Sequence, residues 1–321
     1  MKALVTGAAG FIGSRLSAAL LDDGWTVVGL DAFTDYYDPA VKRAAVAPLR
    51  TRPRFTLAES DLLADGWQQH LAGVDVVFHH AAQPGVRASW AEGFADYTAR
   101  NVLATQRLLE AVRAHTETGG AALTRFVYAS SSSLYGDALT YPTSEDAVPA
   151  PFSPYGVTKL AAEHLCGVYA RNWGVPSVAL RYFTVYGGGQ RPDMALHRMI
   201  RAATGGPAFP LYGDGSQRRD FTHVSDVVAA NLAAVTAPVP AGTAVNIAGG
   251  SDTTVTDLLE IVAEVTGRRV EVTVEPAAKG DVARTGGSTE RAARLLGWTP
   301  QMPLRDGIAE QAAVLAAAHD V

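Results

Sequence analysis

Apolar positions come first as short runs, then as longer stretches where they return every third or fourth residue. That alternation predicts strands and helices taking turns through the first half of the chain. A buried strand is expected over residues 2–6, followed by an amphipathic helix carrying Leu16, Leu20 and Leu21 on one face. Further strand-like runs lie at 26–30, 54–57, 74–78, 125–129 and 177–181, with helices over about 94–117 and 154–173. Strands alternating with helices make a parallel sheet covered on both faces. Beyond residue 181 the pattern turns irregular, with glycine- and proline-rich loops at 187–192 and 205–215. A helix-like stretch at 224–236 and a strand at 244–247 read as a return to the first unit. Residues 251–321 add a helix, an alternating strand at 270–274 and closing helices. Such interleaving puts a substrate site in the crevice beyond the strand C-termini.

Composition narrows the class without naming a function. The chain has 321 residues, 48% hydrophobic and 18% charged, enough for a large core and unlike a disordered segment. A net charge of −5 with no basic cluster argues against a nucleic-acid partner. No apolar stretch is long enough to span a bilayer, and a strand at the start leaves no room for a signal peptide. Cys166 is the single cysteine, so no internal disulfide forms and a reducing cytoplasm is the expected setting. It reads as a packed small hydrophobe, not a nucleophile.

The first strand runs into Gly7-Ala8-Ala9-Gly10-Phe11-Ile12-Gly13, with glycines spaced G-x-x-G-x-x-G. Glycines here permit a tight turn, close backbone approach to a pyrophosphate and close helix–strand packing. The following helix N-terminus adds a field favourable to phosphate. The second strand ends at Asp31, where a carboxylate suits a ribose 2′-OH and repels a 2′-phosphate, favouring NAD over NADP. Asp61 and Leu62 follow the third strand and are placed to cap the adenine edge. Ala81 and Ala82, after His79 and His80, are small enough to let a dinucleotide lie against the fourth strand's end. The histidines lack a partnered cluster at ligand spacing, so no metal site is expected.

Ser131 stands in a run of serines, and Tyr155 and Lys159 stand four residues apart on an expected helix. Positions i and i+4 share a face, so both can point into one site. A neighbouring ammonium favours the phenolate, and a fall of ~3 pKa units is about 4 kcal/mol of differential stabilisation. That poises a tyrosine for proton transfer, with the serine hydroxyl steadying the oxygen being deprotonated. This is equipment for oxidising an alcohol.

Taken in order, these segments resemble the extended short-chain dehydrogenase/reductase family, and within it the nucleotide-sugar epimerases. The resemblance rests on 6–13, Asp31, Asp61-Leu62, 79–82, Asn101, 130–136, Tyr155/Lys159, 181–183 and 218–221. Segments 82–87, 181–187, 190–196 and 280–285 are most similar to UDP-glucuronate 4-epimerases. Gly286-Gly287-Ser288 departs from the Tyr-Ala-Asp usual there.

The resemblance implies a Rossmann-type, doubly wound parallel sheet (1–181 plus 222–250) with a smaller interleaved C-terminal α/β substrate domain (182–221 plus 251–321). It implies NAD bound by Gly7, Gly10, Phe11, Ile12, Gly13, Asp31, Asp61, Leu62, Ala81, Ala82, Asn101, Tyr155 and Lys159. Tyr155 would take the sugar O4 proton, Ser131 bond O4, and Lys159 acidify Tyr155, while NAD⁺ accepts hydride from C4 and returns it to the other face. A UDP-sugar would be held by Arg87, Ser132, Ser133, Thr184, Arg191, Met194, Phe209, Tyr212, Arg219 and Asp281. Related 4,6-dehydratases carry Asp and Glu at the positions of Ser132 and Ser133, and related decarboxylases carry Glu at Ser133. Serine hydroxyls barely titrate, so dehydration is disfavoured here.

Oxidising a uronate at C4 makes a β-keto acid, whose carboxylate must be kept from aligning with the ketone π system. Arg191 is the candidate clamp, as a planar guanidinium can grip a carboxylate bidentately; a surface ion pair is its competing role. Arg87 has two open roles, carboxylate or diphosphate, and Arg219 competes with a structural salt bridge. The resemblance also implies a homodimer, with the helices near 94–117 and 154–173 forming a four-helix bundle. UDP-glucose/UDP-galactose 4-epimerisation, UDP-glucuronate decarboxylation and a non-catalytic NAD-binding sensor are the alternative functions.

Overall fold

Residues 1–277 and 280–317 are described by a computed structural model. Seven strands form one sheet: β1 (Lys2–Thr6), β2 (Thr26–Asp31), β3 (Phe55–Glu59), β4 (Val76–His79), β5 (Arg125–Ser131), β6 (Ser177–Tyr182) and β7 (Thr243–Ile247). Every pairing is parallel, in the order β7-β6-β5-β4-β1-β2-β3. The order reverses between β1 and β4, which opens a crevice at their C-terminal ends. Strands β1 and β6 are buried almost throughout, as strands covered on both faces must be.

Each face of the sheet has its own apolar core. On one side Leu16 and Leu20 of α1 (Phe11–Asp22) pack with Val227 and Val235 from helix 224–236. On the other, Leu108, Leu109 and Val112 of α2 (Ala104–Glu117) meet Ala162 and Cys166 of α3 (Pro154–Trp173). Cys166 is thus a packed thiol, as expected. Helix α3 begins where its sequence says it must. Pro154 occupies the first turn, the Ser153 hydroxyl accepts from the Gly156 N–H at 3.1 Å, and Gly174 closes the far end at φ 66°.

A second, smaller core gathers Tyr186, Leu196, Met199, Ile200, Phe209, Leu258, Val262 and Ile308 around three helices, Ala195–Ala203, Val255–Thr266 and Leu304–Ala317. Short strand pairs stitch it, Thr184–Tyr186 to Phe221–His223 and Phe209–Tyr212 to Val272–Glu275. One segment departs from the expected division at 251. Ala292, Leu296 and Trp298 pack into the core of the large sheet. The Trp298 indole N–H donates to the Asp226 carbonyl at 2.9 Å, tying this stretch to helix 224–236.

The expected single helix over 94–117 is also broken. After one α-turn at Phe94–Tyr97 the chain takes a π-helical turn over Thr98–Leu103 before α2 begins. The π-turn holds Asn101 in the interior, where it binds the Gln83 backbone through both N–H and carbonyl (2.7 and 3.1 Å) and donates to the Thr158 hydroxyl at 3.0 Å. Asn101 thereby fastens the segment after β4 to the helix that carries Tyr155.

Two histidines at the C-terminal end of the central strand β4 give a testable pH dependence. His79 bridges the Thr6 and Thr105 hydroxyls (2.7 and 2.9 Å), and burial pushes its pKa down to about 3. His80, half-buried in the cleft lining, is pushed down to about 4 by desolvation. Below pH 6.5 the unfolded chain takes up protons that the folded chain refuses, so their contribution is complete above 6.5 and is lost as pH falls toward 4 and 3. Between pH 6.5 and 5 the two together represent roughly 4 kcal/mol. Asp220, raised to about 6 by burial, works in the opposite direction between its ordinary carboxylate range and pH 6. Urea midpoints measured from pH 7 to 5 should therefore fall, and less steeply in His79→Gln. Parallel slopes in the two proteins would exclude His79 as the cause.

Candidate active site

The crevice between β1 and β4 becomes a cleft because its floor is glycine. A Cβ on Gly13 would lie 2.1 Å from the Gly7 carbonyl oxygen, and Gly7 itself sits at φ +71° with a Cβ position 2.8 Å from the Ala81 nitrogen. The glycine turn, helix and β4 end thus meet at backbone contact, which any side chain would prevent. The cleft is lined by Gly7, Gly10, Phe11, Ile12, Gly13, Asp31, Asp61, Leu62, Ala81 and Ala82, together with Tyr155, Lys159 and Arg191. Of the expected cofactor contacts Asn101 alone stands behind this wall, all its polar atoms spent on protein. Asp31 accepts from the backbone N–H of Ala9 (2.9 Å) and Phe33 (2.8 Å), which fixes its carboxylate at the end of β2. Asp61 accepts from the Leu63 N–H and pairs with Arg100 at 3.0 Å.

The donor set fits a dinucleotide. A bare backbone cradle meets a helix N-terminus, Asp31 waits where a ribose diol would lie, and the buried Nδ1 of His80 in the lining has no partner among the described residues. Tyr36, Tyr37 and Lys42 also enter the lining, which sequence reasoning missed. The tyrosines' segment, 32–38, has no periodicity to flag it, and Lys42 stands on the helix Pro39–Arg50 that follows. The signal available was the aromatic pair beside Asp35, on the loop after the acidic end of β2.

At the other end of the cleft, burial raises the Tyr155 phenol above its ordinary value, while a hydrogen bond with Ser131 and the charge of Arg191 pull it down. Lys159 is buried, its Nζ 4.5 Å from the centroid of the Tyr128 ring, and desolvation lowers it to about 8. In the protein alone the downward pull on Tyr155 comes from Ser131 first and then from Arg191. Ser131 also accepts from the Ser133 N–H at 3.1 Å, which shapes the turn carrying Ser132 and Ser133. Tyr97 meets Tyr155 edge-on at 6.1 Å and donates to the Pro84 carbonyl.

The expected sugar contacts are divided between the two units and do not all converge. Thr184 starts the short strand beside Phe221–His223. Met194 accepts from Arg191 through its sulfur at 3.4 Å. Arg87 stacks its guanidinium 3.9 Å from the Tyr212 ring centroid, joining the loop after β4 to the smaller unit. Arg219 and Asp281 pair with each other, so the competing salt bridge is realised. Phe209 is buried in the smaller core against Arg198, 6.0 Å away, and is a packing residue where a uracil wall was expected. The departure at 286–288 has a steric reason. A Cβ on Gly287 would lie 2.6 Å from the Phe183 ring, and its N–H donates to Asp220 at 3.2 Å. Among the described residues no group of His, Cys, Asp and Glu is placed to hold a metal, and no helix is long and apolar enough to cross a membrane.

Comparison with known proteins agrees with this geometry. The family model described as the NAD dependent epimerase/dehydratase family matches residues 3–248. A Bacillus subtilis (strain 168) protein named as an uncharacterized UDP-glucose epimerase is 41% identical, over 99% of both chains. The UDP-glucuronate 4-epimerase of Thermodesulfobacterium geofontis is 32% identical, over 95% of this chain and 93% of its own. Among solved structures, UDP-glucuronic acid 4-epimerase from Bacillus cereus, in complex with UDP-glucuronic acid and NAD, superposes with a TM-score of 0.94. It is 38% identical and covers 99% of this chain and 100% of its own. With the glycine cradle, Asp31, Tyr155 and Lys159 in one cleft, the chain belongs to the NAD dependent epimerase/dehydratase family.

Proposed function

We propose that the protein is an NAD-dependent 4-epimerase that interconverts UDP-glucuronate and UDP-galacturonate through a transient 4-keto sugar. The observation that carries this is the meeting of Tyr155, Lys159 and Arg191 in the lining of the dinucleotide cleft. NAD, when bound, supplies the acceptor and later the donor of the C4 hydride. Tyr155 takes the O4 proton and gives it back after the sugar has turned, with the Ser131 hydroxyl bonded to the same oxygen. Lys159 holds its positive charge beneath them. Ser132 and Ser133 offer hydroxyls alone, so the carboxyl needed for water elimination is absent from those positions. Arg191 supplies the charge for a uronate, with Thr184, Ser132 and Ser133 as further hydrogen-bonding groups.

A second substrate, UDP-glucose, is favoured by one observation: a solved relative, MoeE5, 41% identical over 99% of this chain, is described both with UDP-glucuronic acid and with UDP-glucose. The Arg191→Ala variant separates the two. Its kcat/KM for UDP-glucuronate should fall about 10- to 100-fold, the loss of a charge-assisted contact, with UDP-glucose turnover much less affected. Unchanged kinetics and products with both would remove Arg191 from the site.

The protein is further proposed to act in the reducing cytoplasm as a homodimer through α2, α3 and their flanks, where Phe94, Leu103, Val157, Val168 and Trp173 are exposed. Light scattering should then give twice the 33.7 kDa chain mass. A monomer at micromolar concentration would reject the pairing.

A further inference from the structure

We infer that Asp193 is a positioning residue for the sugar carboxylate, holding the Arg191 guanidinium by one edge so that only its far nitrogen faces the sugar. This rests on the uronate reading above. Arg191 donates through Nε to Asp193 Oδ1 and through Nη2 to Oδ2, both at 2.9 Å, and Nη2 also reaches the Met194 sulfur at 3.4 Å. Nη1 has no hydrogen-bond partner among the described residues. The pair sits on a stiff turn: Pro192 fixes the backbone between the two residues, and the Met194 N–H donates to the Arg191 carbonyl at 3.1 Å. The guanidinium stands 5.9 Å from the centroid of the Tyr36 ring and lines the same cleft as Tyr155. The protein's own carboxylate therefore occupies the edge that a free arginine would offer a uronate bidentately.

This arrangement weakens ground-state binding in return for orientation. A second carboxylate brought to Nη1 feels the charge of Asp193 as well as that of Arg191, so the uronate is held less tightly than by an unpaired guanidinium. Orientation matters because the oxidised uronate is a β-keto acid. If its carboxylate swings parallel to the ketone π system, the C5–C6 bond breaks and its electron pair passes into the ketone as an enolate. Carbon dioxide leaves and a solvent proton adds at C5. The product is a 4-keto pentose, and the hydride stays on the cofactor. A guanidinium that cannot rotate keeps the carboxylate out of that geometry.

Two measurements on Asp193→Asn, with Asp193→Glu as the charge-conserving control, test the inference. In a Tyr155→Phe background, affinity for UDP-glucuronate should rise about fivefold as the opposing charge is removed, while affinity for UDP-glucose stays constant. With Tyr155 intact, kcat for UDP-glucuronate should fall about 10-fold, with a decarboxylated product visible by NMR and a lasting absorbance at ~340 nm from reduced cofactor. Asp193→Glu should restore most of the epimerisation. A merely structural aspartate would lower both affinities together and release no 4-keto pentose, and that result, or no change at all, overturns the inference. If the wild-type enzyme fails to convert UDP-glucuronate, the substrate reading falls and takes this inference with it. If it converts UDP-glucuronate and the Asp193→Asn affinity ratio is unmoved, the inference alone falls.

Discussion

Tyr155→Phe should lower kcat by about 1,000-fold, within the range by which a positioned general base accelerates proton transfer. The substitution removes the phenolic oxygen and nothing else. The ring keeps its edge-on contact with Tyr97, and Ser131 keeps its bond from the Ser133 N–H. The hydroxyl lost belongs to a half-buried ring in the cleft lining, so stability should change by less than about 1 kcal/mol. The cleft residues that would hold NAD are on other elements, apart from Lys159, and dinucleotide affinity should be retained. The pH profile carries a second signature. In wild type, kcat/KM should rise with pH, because burial holds the Tyr155 phenol above its ordinary value and only its ionised fraction takes the O4 proton. Residual Tyr155→Phe activity should lack the acid limb. A variant with more than a tenth of wild-type kcat would remove Tyr155 from proton transfer.

Glu163→Ala should destabilise the fold by roughly 3–5 kcal/mol, the cost of stranding a buried partner charge. Glu163 lies one turn beyond Lys159 on α3 and binds Arg181 of β6 through Nη2 (2.6 Å) and Nε (3.1 and 3.2 Å). Both side chains are 10% exposed or less. The network extends from there. Ser130 donates to Glu163 at 2.6 Å, Arg181 donates to the Tyr135 hydroxyl at 2.6 Å, and Tyr135 donates to Asn246 at 2.8 Å. Helix α3, the end of β5 and strand β7 are thus tied at one point, directly beneath Ser131. A fall in Tm of about 10 °C is expected by calorimetry. Glu163→Leu with Arg181→Met, which removes both charges, should recover much of it, because the pair's worth lies mainly in not being broken. A loss under about 1 kcal/mol for the single variant would mean that water replaces the carboxylate.

Local signals carried much of this architecture in the sequence. The bounds of α3 follow from Ser153, Pro154 and Gly174, and the glycine turn from the spacing at 7, 10 and 13, because each is enforced by backbone geometry at its own position. What stayed hidden depends on partners distant in the chain. Nothing near Asn101 announces a π-turn, since its cause is the Gln83 backbone and Thr158. Periodicity marked closing helices within 251–321 but not which core each would join; for the stretch 290–298 Trp298 decides that by reaching Asp226. Arg191 was legible as a candidate clamp, yet its occupied edge was not, although Asp193 is two residues away. Composition likewise could not separate Phe209 as core from Phe209 as a ligand wall. Burial decides it.

Proton NMR of the purified protein with UDP-glucuronate and no added cofactor tests the central claim most directly. Resonances of UDP-galacturonate should grow to a steady ratio with those of the starting sugar, driven by NAD that copurifies in the cleft. A spectrum that holds only UDP-glucuronate, from protein that binds NAD and then converts UDP-glucose, would contradict the assignment of the uronate as substrate. UDP-xylose or a 4-keto pentose as the main product would contradict epimerisation itself.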